Sequence, residues 1–220
     1  MENRDFSPTT SLTEEISDVV RERILSGEYE IGEKIKENQI ATELSVSRTP
    51  IREAFKLLEN EGLIDYIPNR GCFAKGFTKR DVEDIYAVRE ALEELAVAWS
   101  CERIIPDEIK ALEEQCDMME FYIQKNDVKK VLELNSGFHD LIYASARSRF
   151  LAQVLRSYKA YIDKSRKIAA YEQPYLESII QEHRVILEAI KARDKDRAVA
   201  AMKSHLVVSQ QRAERIWKVK

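Results

Sequence analysis

The sequence predicts a mainly α protein: an N-terminal winged helix-turn-helix followed by an antiparallel all-α bundle of about six helices. Three observations carry this. Residues 37–75, ENQIATELSVSRTPIREAFKLLENEGLIDYIPNRGCFAK, read as two short helices joined by a tight turn, then a basic-tipped hairpin. Five of the six glycines (Gly27, Gly32, Gly62, Gly71 and Gly76) precede residue 77. Beyond it the only breakers are Gly137, Pro106 and Pro174, a composition that fits helices and little else. The boundary therefore falls at residue 76, giving domains 1–76 and 77–220.

Within the first domain, Ile40, Ala41 and Leu44 turn the leading helix of the motif inward and leave Asn38 and Gln39 toward a nucleic-acid backbone. Ser47 is expected to cap the second helix through its hydroxyl, with Val46 and Ile51 as a hydrophobic staple. Pro50 lies in the first turn, where a missing N–H is tolerated. Ile51, Ala54, Phe55 and Leu58 then form one apolar stripe, and Arg48, Thr49, Arg52 and Lys56 occupy a separate, outward arc. Arginine on such an arc can meet guanine O6 and N7, or phosphate, with a fixed fork. Leu63–Ile67 and Gly71–Lys75 read as two strands around Pro68-Asn69-Arg70-Gly71, placing Arg70 where it would reach the minor groove or a phosphate.

Charge argues less plainly. Residues 1–76 carry ten Lys/Arg against fifteen Asp/Glu, a net −5, whereas a DNA-binding domain is usually basic. The basic residues gather at the reading helix and hairpin, and Glu14, Glu15, Asp18 and Glu22 lie on the first helix. Such a local basic face predicts modest non-specific affinity and reliance on base contacts and dimerisation. The plain alternatives are an amphipathic surface helix beside an ordinary hairpin, or a winged helix used for protein contacts.

The chain of 220 residues has a net charge of −4, long enough to bury a good core. Cys72, Cys101 and Cys116 are scattered and odd in number, which predicts a reducing, cytoplasmic setting. The start MENRDFSPTTS has no apolar core and predicts no signal peptide, and no apolar run reaches membrane-spanning length.

Cap and breaker residues divide the second domain. Thr78 opens a helix to about Arg103; Pro106, Asp127, Ser148, Glu172–Pro174 and Asp194 begin the next five. Polar residues inside the apolar stripes are the informative ones. Asn135 and His139 share the face of Val128, Val131, Leu132, Phe138 and Ile142. His183 sits among Ile179, Ile180, Ile186, Leu187 and Ile190, and His205 among Ala198, Ala201, Met202 and Val208. Positions 183 and 205 are equidistant from Asp194 in the turn Arg193-Asp194-Lys195, so antiparallel helices hinged there hold both imidazoles at one height. One histidine on an apolar face is usually a hydrogen-bonded core residue. Three, two of them forced opposite each other and one with an amide at i−4, predict a metal site. Imidazoles suit zinc first, with nickel, cobalt or copper also open. Arg89 occupies a slot in the stripe of Val82, Ile85, Leu92, Ala96 and Trp99 and needs an anion, either a bundle carboxylate or the carboxylate of a ligand.

The run Ser47-Arg48-Thr49-Pro50-Ile51-Arg52-Glu53-Ala54, with Leu57, Glu61-Gly62-Leu63 and Arg70-Gly71-x-Phe73, resembles the GntR family of bacterial transcription regulators. The resemblance implies DNA contacts from Arg48, Thr49, Arg52, Arg70 and Gly71, with Asn38 a weaker candidate; Ser47 and Lys56 are added as DNA-binding candidates from the reading helix itself. Ser45 stands where that family commonly has glycine, a cost of about 1 kcal/mol if the residue is left-handed. Asn135, His139, His183 and His205 are similar to the Asp/Asn-x-x-x-His…His…His metal site of the FadR subgroup, whose C-terminal domain is the FCD type, and Arg89 matches its effector arginine. The resemblance implies a homodimer on a pseudo-palindromic operator, controlled by a small carboxylate effector and most often a repressor. Two rivals remain: a sensor of the metal itself, and a three-histidine metalloenzyme.

Overall fold

The computed structural model describes residues 11–75, 78–165 and 173–217. Helix α1 (Leu12–Leu25) opens with a capping box: Glu14 N–H donates to Ser11 Oγ, and Ser11 N–H donates to Glu14 Oε2. Its buried face, Ile16, Val20, Ile24 and Leu25, packs on α3. Strand β1 (Lys34–Ile35) precedes α2 (Glu37–Glu43) and α3 (Arg48–Asn60). The turn between these helices passes through Ser45 at φ 56°, so the left-handed conformation is real and is carried by a residue with a Cβ.

Ser47 is the N-cap residue of α3, with extended backbone, but its hydroxyl makes no capping hydrogen bond. An N-cap hydroxyl accepts from the second or third helical N–H; Pro50, the third helical residue, has none, which leaves only the Thr49 N–H, and that bond is not made. The expected cap is therefore corrected. At the other end Gly62 (φ 74°) closes α3, with Leu63 N–H on Leu58 O and Gly62 N–H on Glu59 O, a Schellman arrangement. Arg21 clamps this end to α1 with two 2.7 Å bonds to the Glu61 carboxylate.

The wing comprises β2 (Ile64–Ile67) and β3 (Gly71–Ala74), paired antiparallel with Ile67 opposite Gly71. The short β1, which the sequence reading did not anticipate, pairs with β3 and gives the order β1-β3-β2. This completes a winged helix-turn-helix.

Residues Lys79–Lys220 form a second compact unit, beside a first of Met1–Thr78. Its described helices are α4 (Lys79–Arg103), α5 (Pro106–Gln124), α6 (Val128–Ser145), α7 (Arg149–Ser165), α8 (Gln173–Lys191) and α9 (Lys195–Trp217). Six helices were expected and six are described. Asp127 and Asp194 cap α6 and α9 through their carboxylates. Gly137, inside α6, faces α5 where Gln115 Nε2 donates to Leu134 O, and a Cβ would meet that nitrogen at 2.2 Å. The core is aliphatic, from Leu112 and Met119 of α5 to Ile186 and Leu187 of α8 and Met202 and Leu206 of α9.

Arg193 sets the register of the α8–α9 hairpin against α4. It takes φ 54° at the end of α8, and its guanidinium donates to Cys101 O at 2.9 Å and Ile104 O at 2.8 Å, carbonyls that α4 leaves open at its end. Arg193→Ala should keep the strained backbone and lose these charge-assisted bonds, lowering the free energy of unfolding by about 1–3 kcal/mol in urea titration. In the first unit, Ser45→Gly should raise the midpoint of unfolding by an amount equivalent to about 0.5–1 kcal/mol, the relief of left-handed strain offset in part by the freer unfolded chain.

Candidate functional site

The reading surface of the first unit is built as its sequence periodicity requires. Ile51, Ala54, Phe55 and Leu58 are buried, and Arg48, Thr49, Arg52 and Lys56 are exposed on the other side of α3. Asn38, Ser47 and Arg70 are exposed too. Gly71, at φ 100°, lies where a Cβ would come within 3.1 Å of the Lys34 side chain, so glycine suits both the turn and the space. The Arg70 guanidinium lies over the Phe73 ring, 5.6 Å from its centroid, which steadies the wing tip. The basic arc is less bare than its composition implies. Arg52 Nε donates to Glu37 Oε2 at 3.0 Å, and Lys56 Nζ donates to Glu53 at 2.9 Å. Glu37 holds only the inner edge of the Arg52 guanidinium, so the Nη edge is not used by that bond.

In the second unit α6, α8 and α9 bring all three histidines together. His139, His183 and His205 are buried, with ring centroids 4.9 to 5.4 Å apart. One ring nitrogen of each lies within 4.8 Å of the others. Asn135 is buried one turn before His139 on the same face of α6. Phe138 stacks on His183 at 4.2 Å and walls one side.

Two carboxylates that the sequence reading missed orient these rings. His139 Nδ1 lies 2.6 Å from Glu93 Oε2, and His205 Nδ1 lies 2.8 Å from Glu182 Oε2. Burial works against ionising Glu93, but Arg89 and then His139 outweigh it and hold the carboxyl well below its ordinary range. Burial likewise opposes ionising Glu182, yet His205, Arg212 and Ser178 hold its pKa at about 2. An ionised carboxylate only accepts, so both Nδ1 atoms donate. Burial lowers the His205 pKa to about 4 against the pull of Glu182, so this ring is neutral near neutral pH, with its lone pair on Nε2.

The Nε2 atoms of His139 and His205 face each other at 3.2 Å. Two inward lone pairs at that separation repel unless a cation lies between them. A shared proton could serve two nitrogens, and the cluster of three imidazoles could hold a metal ion. Tetrahedral zinc with bonds of about 2.0–2.1 Å sets neighbouring nitrogens about 3.3–3.4 Å apart, close to the spacing found. The donor set therefore fits a transition metal, with His139, His183 and His205 as ligands and Asn135 adjacent. Carboxylates on the Nδ1 atoms are also the usual outer support of imidazole ligands.

Arg89 is 2% exposed on α4, and its Nε donates to Glu93 Oε1 at 2.5 Å. The ion pair to a bundle carboxylate is thus present, and it takes only one edge of the guanidinium. Nη1 is buried with no hydrogen-bond partner among the described residues, as is Nε of Arg212, whose other nitrogens bind Glu182 and Ser178. Orphaned donors in a buried site fit a guest rich in oxygen acceptors. The buried face of α4 is set by Val82, Tyr86, Arg89, Glu93, Ala96 and Val97, turned slightly from the expected stripe, in which Ile85, Leu92 and Trp99 are only half buried.

Known proteins place this arrangement. Residues 12–74 match the bacterial regulatory proteins of the gntR family, and residues 84–207, more than half of the chain, match the FCD domain. The chain belongs to the GntR family. It is 32% identical over 187 residues to YdhC of Bacillus subtilis (strain 168), an uncharacterized HTH-type transcriptional regulator, covering 84% of each chain. It is 27% identical to the gluconate operon transcriptional repressor of Bacillus licheniformis over 90% of this chain and 83% of that one. The fold is that of Escherichia coli McbR/YncC, with a TM-score of 0.72 and 22% identity, over 96% of this chain and 99% of the other. The GntR-family protein is thus a DNA-binding transcriptional regulator with an FCD domain, and not an enzyme. No described helix is long and apolar enough to cross a membrane.

Proposed function

We propose that this regulator is a cytoplasmic homodimeric repressor whose grip on a pseudo-palindromic operator is set by a small carboxylate. The effector binds between Arg89 and a divalent transition metal, zinc in the first instance, held by Asn135, His139, His183 and His205. The observation that carries this reading is the pairing of two features in one buried space: imidazole nitrogens turned inward at 3.2 Å, and the Arg89 Nη1 left without a partner among the described residues. On four neutral ligands an ion would keep its full charge and would supply Lewis acidity toward a carboxylate oxygen. The chain's own residues do the rest. Glu93 and Glu182 orient the rings, Arg89 offers the free edge of its fork, and Phe138 and Tyr143 limit the space.

On DNA, Arg48, Thr49 and Arg52 read base edges in the major groove, and Ser47, Asn38 and Lys56 meet the backbone. Arg70 and Gly71 of the wing approach the minor groove or a phosphate. One recognition helix per protomer addresses each half-site. A carboxylate that prefers one arrangement of the bundle alters operator affinity by no more than its differential affinity for the two arrangements.

Two measurements test this. Arg52→Ala should abolish operator retardation in gel shifts while leaving the melting temperature within about 1 °C, since Arg52 is exposed and its one ion pair is at the surface. Unchanged operator affinity would remove Arg52 from the reading surface. A thermal-shift screen of mono-, di- and hydroxycarboxylates with and without chelator should find an acid that stabilises wild type, loses its effect on chelation and fails on Arg89→Ala. Stabilisation by metal alone, with no acid active, would identify the ion as the signal instead.

A further inference from the structure

The Glu93 carboxylate is shared between the two halves of the proposed effector site. Its Oε1 accepts from Arg89 Nε at 2.5 Å and its Oε2 lies 2.6 Å from His139 Nδ1, and the side chain is wholly buried. Glu182 plays a similar part for His205, but its other partners are Arg212 and Ser178, and it does not touch Arg89. Only one of the two imidazole-bound carboxylates therefore also grips the arginine.

We infer that Glu93 is a positioning residue that sets the tautomer of His139 and the orientation of Arg89 together, so that metal affinity and anion affinity depend on each other through it. This rests on the preceding reading of the site. The physical basis is donor counting. Arg89 Nε and His139 Nδ1 both present hydrogens, and a carboxylate offers each an oxygen. A glutamine offers one oxygen and one amino group, so it must turn an N–H toward one of two donors. The least costly escape is for His139 to move its proton to Nε2, which takes that nitrogen out of metal ligation. The coupling runs both ways. A cation on His139 Nε2 strengthens the Nδ1–H bond to Glu93, draws the carboxylate toward the ring and frees Arg89 for an external anion. An anion on Arg89 relaxes its hold on Glu93, which then supports His139 more strongly.

The experiment uses the full-length protein as wild type, Glu93→Gln and Glu182→Gln. Long-range ¹H–¹⁵N spectra of the metal-free proteins report the histidine tautomers. Zinc affinity is measured by competition with a chromophoric chelator, with and without acetate as the anion probe. Wild type should show His139 protonated on Nδ1 and should bind zinc more tightly in acetate. Glu93→Gln should move that proton to Nε2, weaken zinc about 10- to 100-fold, as loss of an outer partner typically does, and abolish the acetate effect. Glu182→Gln should weaken zinc but keep the acetate effect, which separates coupling from general damage to the site. If Glu93→Gln does not fold, Arg89→Lys substitutes: with the Nε bond lost the hold on Glu93 relaxes as it does with an anion on Arg89, so zinc affinity without acetate should rise severalfold, and unchanged or weaker affinity overturns the inference. It is equally overturned by a wild-type His139 protonated on Nε2, or by an acetate effect that survives in Glu93→Gln. Failure of wild type to bind zinc sinks the metal reading and the coupling with it, whereas the tautomer comparison of Glu93→Gln with wild type needs no metal and by itself decides whether Glu93 sets the His139 proton.

Discussion

The Glu93 carboxylate holds two donors from different helices, Arg89 on α4 and His139 on α6, with no solvent in reach. A buried carboxylate without partners would protonate, and a buried guanidinium without an anion would destabilise the bundle. Each therefore requires the other, and His139 completes the set. Because α4 also packs along α9, which carries His205 and Arg212, the position of Glu93 fixes where the second domain can place its remaining polar groups. The aliphatic core around them supplies rigidity, with Phe138 stacked on His183 and the Arg193 guanidinium tying the α8–α9 turn to the end of α4.

The first unit faces an opposite electrostatic problem. Its function needs cations exposed to an anionic partner, yet its composition is acidic. The solution is local. Glu14, Glu15, Asp18 and Glu22 lie on α1, and on the reading surface Arg52 and Lys56 are each held by a single carboxylate, Glu37 and Glu53. An exposed pair such as Glu37–Arg52 contributes little to folding, so its consequence lies in orientation. With Nε engaged, the Nη edge of Arg52 is presented outward, the edge a guanine can meet bidentately. Such a surface binds by fit more than by net charge.

Much of this was legible in the residues themselves. Helical periodicity, glycine placement and cap residues located the winged motif and the six bundle helices, and the equal spacing of His183 and His205 from Asp194 forecast that they would meet, with ring centroids now 4.9 Å apart. The carboxylates were not legible. Glu93 stands in a stretch with Glu90 and Glu94, where a glutamate is ordinarily a solvated helix residue, and only the rotation of α4 in the bundle selects it for burial. Glu182 precedes His183 in sequence but serves His205 on the next helix, a relation that exists only across the α8–α9 interface. Ser47 caps without a side-chain bond, and the sequence did contain part of the reason: Pro50 removes one of the two N–H groups that its hydroxyl could have bound. The two-residue β1 is too short to show a period and is fixed by its pairing with β3.

The energetic character of the bundle centre argues for a site over a scaffold. A buried ion pair, a second that is half-buried, and three imidazoles occupy a place where aliphatic side chains of similar volume would pack at no desolvation cost, and such replacement is often neutral or stabilising. A core arranged for stability alone has no use for an arginine whose Nη1 meets no acceptor among the described residues. Nor does it need three imidazoles gathered with two Nε2 atoms 3.2 Å apart. On the proposed reading, these features are relieved by the same addition, a cation among the rings and an oxygen anion at the guanidinium, and binding either one would improve the site for the other.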